Sequence, residues 1–116
     1  MDISFENCPD VRLAVPEDIP ALMELMRYAC EENSAITHPF DDEKVFAMVC
    51  RCFNKQGVLI AVVGDVGNPG AYLLMVVDQI WYSTDYQILE LSLFVHPDHR
   101  RSNYAKQLMT FSKQAS

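Results

Sequence analysis

Glu90, Ser92, His96, His99, Arg100 and Arg101 lie close together in the stretch Glu90-Leu91-Ser92-Leu93-Phe94-Val95-His96-Pro97-Asp98-His99-Arg100-Arg101-Ser102-Asn103-Tyr104-Ala105. Arginine side chains grip phosphate or carboxylate oxygens through charge-assisted hydrogen bonds. A carboxylate inside an otherwise apolar strand costs free energy unless it is paired or functional. Glu90 is therefore either a proton acceptor or a paired structural residue. By alternation Ser92 shares its face and is placed to order a water, while Val95 has the opposite phase. His96 and His99 flank Pro97-Asp98, a poor metal set that fits a phosphate loop or a solvated turn better. No Ser-His-Asp arrangement and no Gly-rich loop of the nucleotide hydrolases is present.

The elements that must position these residues are a strand, a break and a helix. Leu89, Leu91, Leu93 and Val95 alternate with Glu90, Ser92 and Phe94, the period of a buried strand. Pro97 cannot donate to a ladder and ends it. Tyr104, Ala105, Leu108, Met109 and Ser112 then fall on one helical face, with Ser102 or Asn103 as cap. First-turn amides have no partner inside a helix, and the helix dipole adds positive potential there. Residues 100 to 105 thus read as an anion site, although a solvated strand–helix corner accounts for the same residues.

The chain has 116 residues, enough for one domain with one core. Half of them are apolar, which argues against disorder. The net charge of −7 argues against nucleic-acid binding as the main role and suits a basic amine or basic partner. Cys8, Cys30, Cys50 and Cys52 match no zinc spacing and read as free thiols of a reducing cytoplasm. No signal peptide and no membrane-length apolar run is visible.

In order, the chain reads as a leader to Pro9 and a strand over 11–15. Pro16-Glu17-Asp18 follows, with Asp18 as a cap. A helix carries Ile19, Leu22, Met23, Met26, Ala29 and Cys30 inward. Asn33 to Phe40 is a loop. A second helix, capped by Asp41 or Asp42, buries Val45, Phe46, Val49, Cys52 and Phe53 and stops by Gly57. Strands over 58–63 and 71–77, the latter extending toward Trp81 and Tyr82, precede the strand over 86–95. Turn residues between them make this an antiparallel meander.

The Leu93-Phe94-Val95-His96-Pro97 and Arg100-Arg101-Ser102-Asn103-Tyr104-Ala105 segments resemble motif A of the GNAT (Gcn5-related N-acetyltransferase) superfamily. Asn103 stands where that motif has its first Gly, and the Arg-Arg-Ser-x-x-Ala form is similar to a variant of phage-encoded and related bacterial members. The order strand, two helices, three strands, helix extends the resemblance over nearly the whole chain. It implies an α/β (α+β) fold, a mixed, mainly antiparallel sheet flanked by helices. The chain ends after motif A, without the C-terminal strand-helix-strand part, as expected of a C-terminally truncated domain over 1–116.

The resemblance also implies a function: acetyl-CoA as co-substrate and transfer of its acetyl group to an amine. Arg100, Arg101, Ser102, Asn103, Tyr104 and Ala105 would hold the pyrophosphate. The backbone of Leu93, Phe94 and Val95 would pair with the pantetheine arm, and Glu90 would be the catalytic carboxylate. Arg100, expected to be exposed, would be replaceable by Glu with loss of CoA binding and an intact fold. His38, Phe40, Asp41 and Asp42 would lie beside the acceptor, although an ordinary loop and cap explain them too. The alternatives are a non-catalytic GNAT-fold module that holds CoA or a protein, and an interaction protein that forms a homodimer through its open strand edge.

Overall fold

The computed structural model describes residues 5–33 and 38–115. The elements are β1 (Val11–Leu13), α1 (Ile19–Glu32), α2 (Asp42–Phe53), β2 (Val58–Asp65), β3 (Asn68–Gln79), β4 (Tyr86–Val95) and α3 (Tyr104–Ala115). Short 3-10 turns over Pro16–Asp18 and Pro97–His99 lead into α1 and toward α3. The four strands form one sheet in the order β1-β2-β3-β4, and every pairing is antiparallel. This is the α/β architecture that the sequence suggests, ending with α3.

The sheet carries helices on both faces because its central strands are apolar on both sides. On one face α3 buries Leu108 and Phe111 against Val63, Ala71, Leu73, Met75 and Val95. Truncating the fully buried Phe111 to alanine would cost about 3–5 kcal/mol. On the other face α1 and α2 bury Leu22, Leu25, Met26 and Val49 against Ile60, Val62, Tyr72 and Phe94.

Several boundaries move. β1 stops at Leu13, and Trp81 and Tyr82 lie beyond the end of β3, exposed in the turn before β4. Leu25 and Phe111 are buried, whereas Phe46 and Met109 are exposed. The contact face of α3 runs through Tyr104, Leu108, Phe111 and Ser112, and Met109 stands beside it; Phe46 stands likewise beside Val45, Val49 and Cys52.

The sequence reading of residues 89–95 as a buried strand is corrected for Leu89, Leu91 and Leu93 and holds for Phe94 and Val95. β4 is the edge of the sheet. Leu89, Leu91 and Leu93 are 46%, 53% and 36% exposed.

Asp18 is the second correction. Its side chain makes no cap to α1. Instead it is fully buried and binds Arg12 (Nη1 to Oδ2, 2.7 Å; Nη2 to Oδ1, 3.0 Å). It also accepts from the amides of Val15 (2.8 Å) and Gly67 (2.9 Å). Gly67 has φ +82° in the β2–β3 turn, a conformation that glycine adopts without strain. One carboxylate therefore ties β1, the start of α1 and the β2–β3 hairpin together. Asp41 does cap α2 as expected, accepting from the Lys44 amide at 3.1 Å.

Candidate active site

The site is built around a bulge. Leu74 pairs with Ser92, but Met75 pairs with Glu90, so Leu91 is an extra residue in β4. The insertion reverses the alternation on its two sides. Phe94 and Ser92 face α1 with Tyr72 and Leu74. Leu93 and Val95 face α3, and so does Glu90, through its partner Met75. The expectation that Glu90 and Ser92 share a face is corrected: the bulge places them on opposite faces.

Each side chain has a partner on its own side. The Ser112 hydroxyl on α3, itself buried, donates to the Glu90 carboxylate. Ser92 Oγ lies 2.9 Å from the Tyr72 hydroxyl. Burial pushes the Tyr72 phenol up, with its hydrogen bond to Ser92 acting the other way.

Between the end of α1 and β4 lies a groove of about 510 Å³, lined by Ala29, Cys30, Glu32, Asn33 and residues 91–94. A second hollow, of about 320 Å³, is formed by Tyr28, Glu31 and Glu32. Glu32 is common to both and pairs there with Arg100, while Glu31 adds a second carboxylate at the mouth of the groove. On the edge side of β4, alternation decides which amides are free. His96 donates to the Gly70 carbonyl at 2.8 Å and so faces β3. Two-residue alternation then turns the backbones of Leu93 and Val95 toward the open edge.

Past Val95 the chain turns through Pro97–His99 into residues 100–103. Ser102 Oγ donates to the His99 carbonyl and accepts from the Tyr104 amide at 3.2 Å. Ser102 thus bonds the first amide of α3 from just outside the helix, while Asn103 holds the cap position without a side-chain bond to a first-turn amide. The first intrahelical bond runs from the Gln107 amide to the Asn103 carbonyl, so the amides of Ala105 and Lys106 precede it. The Asn103 side chain turns inward and accepts from Gln107 Nε2 at 2.8 Å. Gln107 is buried and also donates to Asp10 Oδ2 at 2.9 Å. Asn103 has no positive φ, so it adopts an ordinary backbone at the position of the motif's glycine. Tyr104 is half-buried against the α3-side core and stacks on His99, 5.2 Å between centroids.

Arg100 and Arg101 differ. Arg101 is exposed. Arg100 is exposed too but folds back over the end of β4. Its Nε donates to the Val95 carbonyl at 3.2 Å, its Nη2 pairs with Glu32, and its guanidinium lies 5.4 Å from the Phe94 ring centroid. The arginine joins the loop over 100–103 to the groove mouth.

Of the residues expected beside an acceptor, Asp42 pairs with Arg27, Phe40 lies under the same arginine at 4.7 Å, and His38 is exposed. Asp41 is occupied as the α2 cap. The middle of that loop lies outside the described residues. Sequence reasoning missed Glu32, Tyr72 and Cys30; the first two carried no local signal because their partners are distant in the chain. All four cysteines are free thiols. Among the described residues no helix is long and apolar enough to cross a membrane.

Solved structures share this fold. A protein from Clostridium difficile 630, described as a possible acetyltransferase, is 13% identical, with TM-score 0.77, covering 90% of this chain and 68% of its own. An integron cassette protein from the mobile metagenome of Cole Harbour Salt Marsh is 17% identical, with TM-score 0.76, covering 98% and 74%. A GNAT family acetyltransferase of Staphylococcus aureus is 15% identical, with TM-score 0.65, covering 91% and 76%. The chain has the fold of the GNAT acetyltransferases and spans only part of the length of each of these proteins. No protein-family model and no curated protein matches it.

Proposed function

We propose that this protein is an acetyltransferase that takes its acetyl group from acetyl-CoA and passes it to a cationic amine. One observation carries the reading. The groove beside α1 opens onto the bulged, unpaired edge of β4, and that strand leads directly to the free amides at the start of α3. A strand-like pantetheine arm fits the outward backbone of Leu93 and the outward amide of Val95, whose carbonyl Arg100 holds, beside Phe94. The pyrophosphate fits Arg101, Ser102, Asn103, Tyr104 and Ala105, with Arg100 at the junction.

The chemistry needs an amine without its extra proton and a polarised thioester carbonyl. The amine nitrogen bonds to the carbonyl carbon, the carbon–sulfur bond breaks, one proton leaves the ammonium group and another is taken up by the departing thiolate. The acidic mouth, with Glu31 and Glu32, attracts a cationic amine, and Glu32 lines the groove. Glu90 lies across the sheet on Ser112 and would serve an amine arriving from the α3 side. A cytoplasmic location fits a co-substrate of that compartment.

Calorimetric titration with acetyl-CoA tests the reading, followed by release of the CoA thiol in the presence of a panel of polyamines and lysine peptides. Micromolar binding and amine-dependent release are expected. A folded protein that binds no acetyl-CoA refutes the proposal.

A second reading rests on the edge itself. Tyr86, Leu89, Leu91 and Leu93 are all exposed along a strand with no lysine or proline to guard it. In this reading the protein is a non-catalytic module that pairs through β4 with a second copy. Sedimentation of the protein and of Leu91→Lys distinguishes them: a dimer that the substitution dissociates favours the module, and a monomer in both removes it.

A further inference from the structure

We propose that the Ser92 hydroxyl donates a hydrogen bond to the acyl carbonyl oxygen of the thioester, with Tyr72 as the buried residue that positions it. The inference rests on the acetyltransferase reading above and adds a side-chain donor to it.

The geometry starts from Tyr72. Its ring is fully buried between the sheet and α1, with the Phe94 ring 6.3 Å away. A buried phenol needs an acceptor for its hydrogen. Among the described residues, the structure gives its oxygen one partner, Ser92 Oγ at 2.9 Å. If the phenol donates, the serine oxygen is the acceptor and its own hydrogen is directed elsewhere. Ser92 lines the groove of about 510 Å³, so that hydrogen has the groove to enter.

Either oxygen of the pair can be the donor; in the proposed arrangement the buried phenol gives its hydrogen to Ser92. Ionised phenol is disfavoured in a buried site, and burial raises the Tyr72 phenol above its ordinary value. Such a group holds its proton, which suits a donor and not a base. The pair therefore supplies polarisation to an oxygen that gains negative charge as the amine attacks. No proton changes owner within it. The C–S bond breaks, and the thiolate takes its proton from solvent.

Position supports the same partner. Ser92 directly follows the bulge residue Leu91 and precedes Leu93, whose backbone faces the open edge. The bulge also turns Ser92 toward α1, the side on which Ala29 and Cys30 close the groove.

The test is the carbonyl stretching band of bound acetyl-CoA carrying a carbon-13 label at the carbonyl, read by isotope-edited infrared difference spectra. Binding by calorimetry is measured in parallel. The expected wild-type band is shifted to lower frequency than in free acetyl-CoA. Ser92→Ala returns it toward the free value, with the dissociation constant changed less than about threefold. Ser92→Thr, which keeps the hydroxyl, retains most of the shift, and Tyr72→Phe loses part of it. With an active amine, Ser92→Ala lowers kcat by about 10²-fold, with KM little changed. A bound band identical in wild type and Ser92→Ala overturns the proposal and leaves the acetyltransferase reading standing. Absence of acetyl-CoA binding to the folded wild type overturns both. Thermal unfolding of each variant separates a lost donor from a lost fold.

Discussion

The Arg12 guanidinium spans both oxygens of the Asp18 carboxylate, and that carboxylate also closes the amides of Val15 and Gly67. No water-facing surface remains on Asp18, while Arg12 keeps 26% of its side chain exposed. All four hydrogen bonds converge on two oxygens that hold three separate elements in register. Burial by itself would raise the Asp18 carboxyl, but the bonds from Arg12, Val15 and Gly67 outweigh it and hold the group below the usual carboxylate range.

This pair predicts acid sensitivity. A carboxylate depressed in the folded state contributes stability that is fully present above its unfolded value of about 4 and is lost as pH falls through the lower folded value. Asp18→Asn leaves Arg12 half-buried without its counter-charge and is expected to cost about 3 kcal/mol. The variant's stability should also fall less steeply below about pH 4 than that of the wild type. Denaturant unfolding over pH 3–7 measures both. Parallel stability curves for the two proteins would show that Asp18 carries none of the acid dependence.

Arg101 and Arg100 should separate when each is substituted. Arg101 is exposed beside the start of α3. Arg101→Glu is expected to weaken acetyl-CoA binding at least about tenfold, or 1.4 kcal/mol, with stability changed by less than about 0.5 kcal/mol. Arg100→Ala instead loses the Val95 carbonyl, Glu32 and the Phe94 ring. It should lower stability by about 1 kcal/mol as well as affinity. The fold is therefore not indifferent to Arg100, as its exposure alone suggested. Calorimetry with thermal unfolding decides: equal affinities for Arg101→Glu and wild type would remove Arg101 from the phosphate site.

Gly70 gives a way to disturb the loop from the sheet. A methyl group added there would meet His99 Cδ2 at 2.6 Å. His99 in turn stacks on Tyr104 at the first position of α3. Gly70→Ala should push the imidazole off its place, shift the 99–104 segment and weaken acetyl-CoA binding several-fold. The strand itself keeps an extended backbone that alanine adopts readily. The measurement is again calorimetric; unchanged affinity would show that the loop absorbs the displaced ring without cost to the site.

Most of the frame was legible because it is written locally. The alternation of residues 86–95, Pro97 and the helical spacing after Asn103 placed β4, the break and α3. Three features were not. The bulge at Leu91 lies inside a run of leucines, where an inserted residue leaves no trace in composition, and every face assignment before it inverts. Asp18 stands at a helix start, where a cap is the ordinary reading, but its partner Gly67 lies 49 residues away. Arg100 finds Glu32 across 68 residues. Local spacing cannot announce such partners.

The proton acceptor offers the sharpest contrast, because the bulge puts Glu90 on the side of β4 opposite the α1 residue Glu32. Glu32 lines the α1 groove; Glu90 lies on the α3 side, held by Ser112. If the amine enters the groove, Glu32→Gln should lower kcat/KM by about 10²-fold. Glu90→Gln should instead leave kcat/KM in place and cost about 1 kcal/mol through the buried Ser112 hydroxyl. Glu32→Gln also releases Arg100, so its acetyl-CoA affinity must be measured alongside. A loss confined to binding would assign Glu32 to positioning Arg100. A loss of kcat/KM in Glu90→Gln, with Glu32→Gln unaffected, would move the acceptor to the α3 face and with it the direction from which the amine attacks.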